Sequence, residues 1–389
     1  MFQQQNNGEI VLQKLPAYAL TESQMDKIYS LPYERTYHPS YEKEGGIKSI
    51  EEVKFSVTSH RGCFGSCSFC AINYHQGRRI QKRSDDSIIK EIELLTTDKD
   101  FKGYIHDLSG PSANFREPAC DKQCKSGVCK NRYCIGNVPC KNLKVDHTGF
   151  INLLRKARAV KGVKKVFIRS GLRYDYVVYD ENKNVLPELV KHHISGQLKV
   201  APEHISDNVL RIMNKPSFSV YKKFSNMYEK ANVQEGKKQF LVPYLISSHP
   251  GCTVSDAVKL TDYLKSIGYM PKQVQDFYPT PSTRATCIYY TGVDPDTMQK
   301  VFVPKTPEEK RMQRALLQYR LPENRDLVNK AYILAGLDKN IEKTNKKENN
   351  TQLKRGKPNK KDVNRGKKEF IHGEKVFRNS LSSGKNKKK

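Results

Sequence analysis

No stretch of the 389 residues approaches the roughly 18 consecutive apolar residues of a membrane span. The opening MFQQQNNGEIVLQK has neither the basic lead nor the apolar core of a secretory signal. Acidic residues are scarce, 41 against 69 Lys and Arg, which leaves a net charge of +28. With no span and no signal, the expected location is the cytoplasm, where clustered thiols bind metal more often than they pair as disulfides. A hydrophobic share of 37% over this length can fill a large core. One large α/β domain with extensions is expected rather than several small domains.

The charge is uneven. Residues 338–389 hold 18 of the Lys and Arg and 6 of the acids, with almost no apolar side chains, and read as a disordered basic tail. The rest of the chain is still basic. Nucleic acid is therefore a candidate partner, and a lysine-rich composition without functional meaning is the plain alternative.

Residues 1–48 read as an N-terminal extension containing a helix from Glu22 to Tyr29 capped by Thr21. From Val53 a strand-then-helix rhythm sets in. The strands are VKFSVTS, GYIHDLSG, KKVFIRSG, GQLKVAPE, KQFLVPYLISS and KQVQDFYP, with amphipathic helical segments between them. Apolar runs without strict alternation suit parallel strands buried on both faces. The expected core spans 49–320, with a Cys-rich insertion at 112–147 and a C-terminal helix at 321–337. An open doubly wound sheet and an incomplete (β/α)6 barrel both fit. Either one puts chemistry at the C-terminal ends of the strands.

The stretch RGCFGSCSFCAI follows the first strand and places Cys63, Cys67 and Cys70 at C-x3-C-x2-C spacing. Three thiolates neither close a zinc site nor complete a disulfide framework. A [4Fe–4S] cube has four irons, so three thiolates leave one iron open. A zinc site finished by a distant ligand, or unrelated buried cysteines, are the plainer readings.

This spacing, with Phe69 before the third cysteine, resembles the radical S-adenosylmethionine (radical SAM) superfamily. The phrases SVTSHRGCFGSCSFCAINYHQGR, DLSGPSAN, LKVAPEHISDNVLRIMNKP and PYLISSHPGC resemble the YgiQ family, over about residues 20–335. Such proteins usually carry a sizeable domain before the barrel, and that domain is expected to be absent here. The resemblance implies the barrel fold, a [4Fe–4S] cluster, S-adenosylmethionine and a one-electron reductant such as flavodoxin or ferredoxin. It implies cleavage of S-adenosylmethionine to a 5′-deoxyadenosyl radical that attacks an unidentified substrate.

Strand ends supply the candidate cofactor ligands. Ser109 and Gly110 stand where the superfamily uses a glycine-rich turn for the amino group. Arg173 suits the carboxylate, since guanidinium forks match carboxylates. Glu203 and His204 suit ribose or substrate. An internal salt bridge or loop cap is the bland alternative for each. The turns at 249–251 and 277–283 could line a pocket, and Cys252 and Cys287 could donate or accept hydrogen.

Five further cysteines, Cys120, Cys124, Cys129, Cys134 and Cys140, fall between the second strand and its helix, with His147 after them. That segment is too poor in apolar residues to fold on a core of its own, so a cross-link is expected. Zinc and a second cluster both fit four thiolates; redox thiols or a disulfide knot are the other options. Cys129, Cys134 and Cys140 are the firmer ligands, with Cys120 preferred over Cys124 for the fourth place. Two other functions stay open: methylthiotransferase-like modification of nucleic acid, suggested by SDNVLRIMNK, and a non-catalytic, metal-stabilised nucleic-acid-binding protein.

Overall fold

The computed structural model describes residues 2–4, 7–12, 14 and 17–337. The chain divides into a unit ending at Ala331 and a second beginning at Tyr332. The site lies wholly in the first unit, and the expected basic tail at 338–389 lies outside the described residues.

All six expected strands form. Ser56–Thr58 pairs in parallel with Asp107–Ser109. The companion segment Tyr104–Ile105 pairs in parallel with Lys165–Val166. Leu172 bridges in parallel to Val200 of the fourth strand, Gln197–Glu203. That strand pairs with Phe240–Ser247, which pairs with Gln275–Asp276. Each strand therefore lies beside its chain neighbour and runs parallel to it, with helical crossovers between, and all six ends face the same way.

Several strands are shorter than their apolar runs. Asp107 shows one cause: its carboxylate accepts the backbone N–H groups of Arg169 and Ser170, at 2.8 and 3.3 Å. Those donors are lost to any ladder, and the third strand stops at Val166.

The helices form where caps and periodicity put them. Ser84 caps Asp85–Thr96 through the Ser87 N–H. Thr21 and Gln24 make a reciprocal capping box on Glu22–Tyr29, as Thr253 and Asp256 do on Val254–Ser266. Val57, Ile105, Leu108, Val166, Leu198 and Val200 from the strands pack with Ile88, Ile92, Leu153, Leu154 and Phe224 from the helices. Each such buried side chain contributes roughly 1.5–3 kcal/mol before entropy is counted.

Three features add to the sequence reading. Residues Phe2–Gln4 and Ile10–Leu12 form an antiparallel hairpin within the N-terminal extension. Within the expected 321–337 segment, Arg325–Leu334 is α-helical and a 3-10 turn precedes it. A 3-10 turn at Pro322–Asn324 separates Pro307–Leu317 from Arg325–Leu334, because Pro322 cannot continue the preceding helix. Pro307–Leu317 also reaches in to the strand ends. Its buried Gln313 accepts the Ser248 N–H at 3.0 Å and donates to the Cys252 carbonyl at 2.8 Å.

Candidate active site

The three-cysteine loop begins where the first strand ends. His60–Arg61 pairs antiparallel with Gln81–Lys82 and closes the neck of the loop. Gly62 sits at φ +88°, and a Cβ there would lie 2.1 Å from the Arg79 carbonyl oxygen, so only glycine fits. The Cys63 N–H donates to Gly77, and that of Cys70 to Cys67. Ser68 ties the loop to two distant elements: its N–H donates to Met213, and its carbonyl accepts from Ala285. The loop is held before anything binds it.

Cys63, Cys67 and Cys70 are free, partly exposed thiols. Burial pushes the Cys63 thiol up, and Cys67 adds to this while Arg173 opposes it. Burial pushes Cys70 up to about 11, with Cys67, Cys63 and Glu203 adding to it. The three thiols thus feel one another. Among the described residues, no three His, Cys, Asp or Glu side chains close around a single metal ion. A four-iron cube asks for something else, since each thiolate takes a different iron.

Arg173 is the cation of this site. Its Nη1 lies 3.4 Å from Cys67 Sγ, while Nε and Nη2 donate to the two Asp175 oxygens at 2.7 and 2.9 Å. Asp175 is fully buried. Two nitrogens of the Arg173 fork are thus engaged in an internal salt bridge with Asp175. Its remaining nitrogen, Nη1, faces the Cys67 sulfur. Gly65 makes this approach possible, because a Cβ there would stand 2.4 Å from Nη1.

The other expected ligands also lie at strand ends. Ser109 Oγ donates to Asp107 at 2.9 Å. Gly110 lies so close to the buried His60 ring that a Cβ would come within 2.4 Å. Glu203 is buried at φ +67°, and burial raises its carboxyl against the pull of Lys215 and Arg173. Ser66, Asn214 and Ser248 share its left-handed backbone at φ 51°, 52° and 60°. Such strain, of order 1–3 kcal/mol each, gathers at functional sites.

His204 is committed within the protein. Its Nδ1 accepts the Ser206 N–H at 3.0 Å, so the ring proton sits on Nε2, 3.5 Å from Cys252 Sγ. That tautomer cannot take a proton from Cys252, and burial pushes the Cys252 thiol far up. Cys287 is exposed. The turn at 249–251 contributes His249, whose Nδ1 donates to the Pro250 carbonyl at 2.7 Å and whose Nε2 has no hydrogen-bond partner among the described residues. Phe69 of the cysteine loop and Phe277 of the sixth strand end contact the His249 ring edge to face.

Within the insertion, Cys120, Cys129 and Cys140 all act electrostatically on Cys134. Burial raises Cys134; Arg78 opposes, and Cys120, Cys140 and Cys129 each add to the rise. The Cys140 N–H donates to the Cys134 carbonyl at 2.9 Å. Cys124 is exposed. His147 is not free to ligate, because Nδ1 meets Asp180 and Nε2 meets Asn114 Nδ2 at 2.9 Å. Sequence reasoning missed Asn114, Asp175 and Asn214, which carry no motif of their own. Arg-x-Asp at 173–175 was the one available signal.

Residues 1–56 match the family model described as "Radical SAM N-terminal". That match supports kinship with the radical SAM superfamily. The same match lends no support to an absent N-terminal domain. Residues 272–388 match a domain of unknown function, DUF3362. A UPF0313 protein of Clostridium botulinum (strain Okra / Type B1) is 58% identical over 332 residues, 85% of this chain and 52% of that protein. The UPF0313 protein CPE1196 of Clostridium perfringens (strain 13 / Type A) is 54% identical over 333 residues, 86% and 50% of the two chains. The chain spans about half the length of the curated relatives it matches. The radical S-adenosylmethionine methyltransferase TsrM from Kitasatospora setae, with cobalamin and a [4Fe–4S] cluster bound, shows a TM-score of 0.39 at 14% identity, over 64% of this chain and 38% of that one. Methylornithine synthase (PylB) shows 0.38 at 12%, over 78% and 74%. Likenesses this loose carry no argument. Among the described residues, no helix is long and apolar enough to cross a membrane.

Proposed function

We propose that the six parallel units form an incomplete (β/α)6 barrel of a radical SAM enzyme. Cys63, Cys67 and Cys70 would hold a [4Fe–4S] cluster whose fourth iron takes S-adenosylmethionine. One observation carries this reading: a loop braced at the strand ends carries the three cysteines at C-x3-C-x2-C spacing, with Arg173 Nη1 3.4 Å from Cys67 Sγ. The bound cofactors would supply a 5′-deoxyadenosyl radical, generated with one electron from a cytoplasmic reductant.

The chain's own residues then have defined tasks. Arg173, held by Asp175, sets its positive charge beside Cys67 and opposes the rise that burial imposes on Cys63. Ser109 and Gly110, with Glu203, form the cofactor-binding rim, and the His60 ring backs Gly110 so that its backbone stays bare. Cys120, Cys129, Cys134 and Cys140 hold a second metal centre. Their gaps match no familiar zinc-finger spacing, which favours a multi-iron cluster over zinc.

Anaerobic reconstitution with iron and sulfide tests the reading. The protein should gain broad absorbance near about 400 nm and form 5′-deoxyadenosine from S-adenosylmethionine once reduced. Cys67→Ala should abolish the nucleoside. A wild-type protein that binds iron and sulfide yet yields none would overturn the proposal.

A further inference from the structure

The two cysteine sites share a wall. Phe64, between Cys63 and Gly65, stacks on Phe115 with ring centres 3.8 Å apart, and Tyr176 meets both rings edge on. With Ile80, Ala119 and Ile135 these rings form one buried cluster, against which both Cys63 and Cys134 pack. Cys63 of the first site and Cys134 of the second therefore rest on one apolar cluster.

Polar links hold the same two loops in register. Asn214 Nδ2 donates to the Ser66 carbonyl at 2.8 Å, and its Oδ1 accepts the Asn137 N–H at 3.2 Å. One carboxamide thus joins the first cysteine loop to the stretch between Cys134 and Cys140. Arg78 Nη1 donates to the Cys129 carbonyl at 3.0 Å, and Arg78's own carbonyl accepts from Gln123 at 3.2 Å. A metal knot that merely stapled a surface loop would need none of this.

The outer side of the insertion has a character of its own. From Cys120 to Lys144 the chain carries Lys122, Lys125, Lys130, Arg132, Lys141 and Lys144, all exposed, against one acid. That acid, Asp121, is already bound to Lys144 at 2.7 Å. Between these cations Val128, Tyr133 and Val138 are exposed at 39, 44 and 76%. Apolar contacts ringed by one sign of charge suit a transient complex with a partner of opposite charge.

We propose that the insertion is the electron-entry port of the enzyme, where an acidic one-electron carrier protein docks. The inference rests on the radical SAM reading above. The carrier gives up one electron and is oxidised by one unit. Cys120, Cys129, Cys134 and Cys140 would hold a centre able to take up that electron and release it, and the Phe64–Phe115 wall would lie between it and the Cys63 loop. No bond forms or breaks in this transfer.

The test uses the reconstituted full chain and flavodoxin as the probe. Cys134→Ser should lower bound iron from about eight to about four per chain. The triple variant K122E/K125E/K130E keeps all cysteines; it should bind oxidised flavodoxin about tenfold more weakly than wild type at low salt. Its first cluster should give a wild-type paramagnetic signal with dithionite but about a fivefold smaller one with reduced flavodoxin. Equal reduction of the triple variant and wild type by flavodoxin overturns the inference. So does zinc in place of iron at the second site, or a surface that binds RNA and not flavodoxin. A wild-type protein whose dithionite-reduced cluster forms no 5′-deoxyadenosine instead sinks the underlying reading, so the two failures are separable.

Discussion

Gly65 has room for a hydrogen and nothing larger. An added Cβ would meet Arg173 Nη1 at 2.4 Å and Cys63 Sγ at 3.3 Å. A long side chain usually swings away from such a clash, but Arg173 is fixed by two bonds to Asp175. The loop must move instead. Gly65→Ala should therefore lower cluster occupancy after reconstitution by about threefold or more, while the melting temperature shifts little. Iron and sulfide analysis checks this, and full loading would show that the Arg173–Asp175 pair yields. Asp175→Asn probes the same contact from the other side. It leaves a buried guanidinium without its counter-charge, which should cost about 3–5 kcal/mol in denaturant unfolding. The cysteines were legible in the sequence because their spacing is local. Asp175 and Asn214 were not, because pairing is three-dimensional: Asn214 reaches Ser66 across 148 positions.

At the scale of elements, periodicity and caps carried the reading well. Thr21, Ser84 and Thr253 each cap a helix where a hydroxyl precedes an apolar-periodic run. What periodicity could not show was where strands stop, since that depends on carboxylates such as Asp107 taking backbone donors. Nor could it show that Gln313 on an outer helix turns inward. Gln313 satisfies two backbone groups of the fifth strand end, beside the strained Ser248. Gln313→Leu keeps the volume roughly constant but strands a buried N–H and a buried carbonyl. The expected loss is about 2–4 kcal/mol, read as a fall in the urea midpoint. A variant within experimental error of wild type would mean that water replaces the amide.

For the molecule as a whole, burial of neutral histidines sets the response to acid. Burial is the leading cause that lowers His60 and His249 to about 3, and His193 and His204 to about 4. The unfolded chain protonates these rings near pH 6.5, and the folded chain refuses the proton. Stability is therefore complete above about pH 6.5 and falls as pH drops from there toward 4, by at most about 1.4 kcal/mol per pH unit for each ring. The depressed carboxylates act in another window. Asp180, lowered by His147 and Asn182 against burial, and Asp256, lowered by Ser206 and Thr253 against burial, lose their contributions only as pH falls through the carboxylate range. Calorimetry of the metal-free chain should thus show the melting temperature falling steadily between pH 7 and pH 5, before Asp180 and Asp256 lose their contributions. His193 isolates one contribution, because its ring Nδ1 donates to the Val166 carbonyl at 2.8 Å far from the cysteines in sequence. A glutamine there keeps a donor but cannot be protonated, so His193→Gln should make the slope shallower by about one proton's worth. An unchanged slope would mean that the folded state accepts the His193 proton after all.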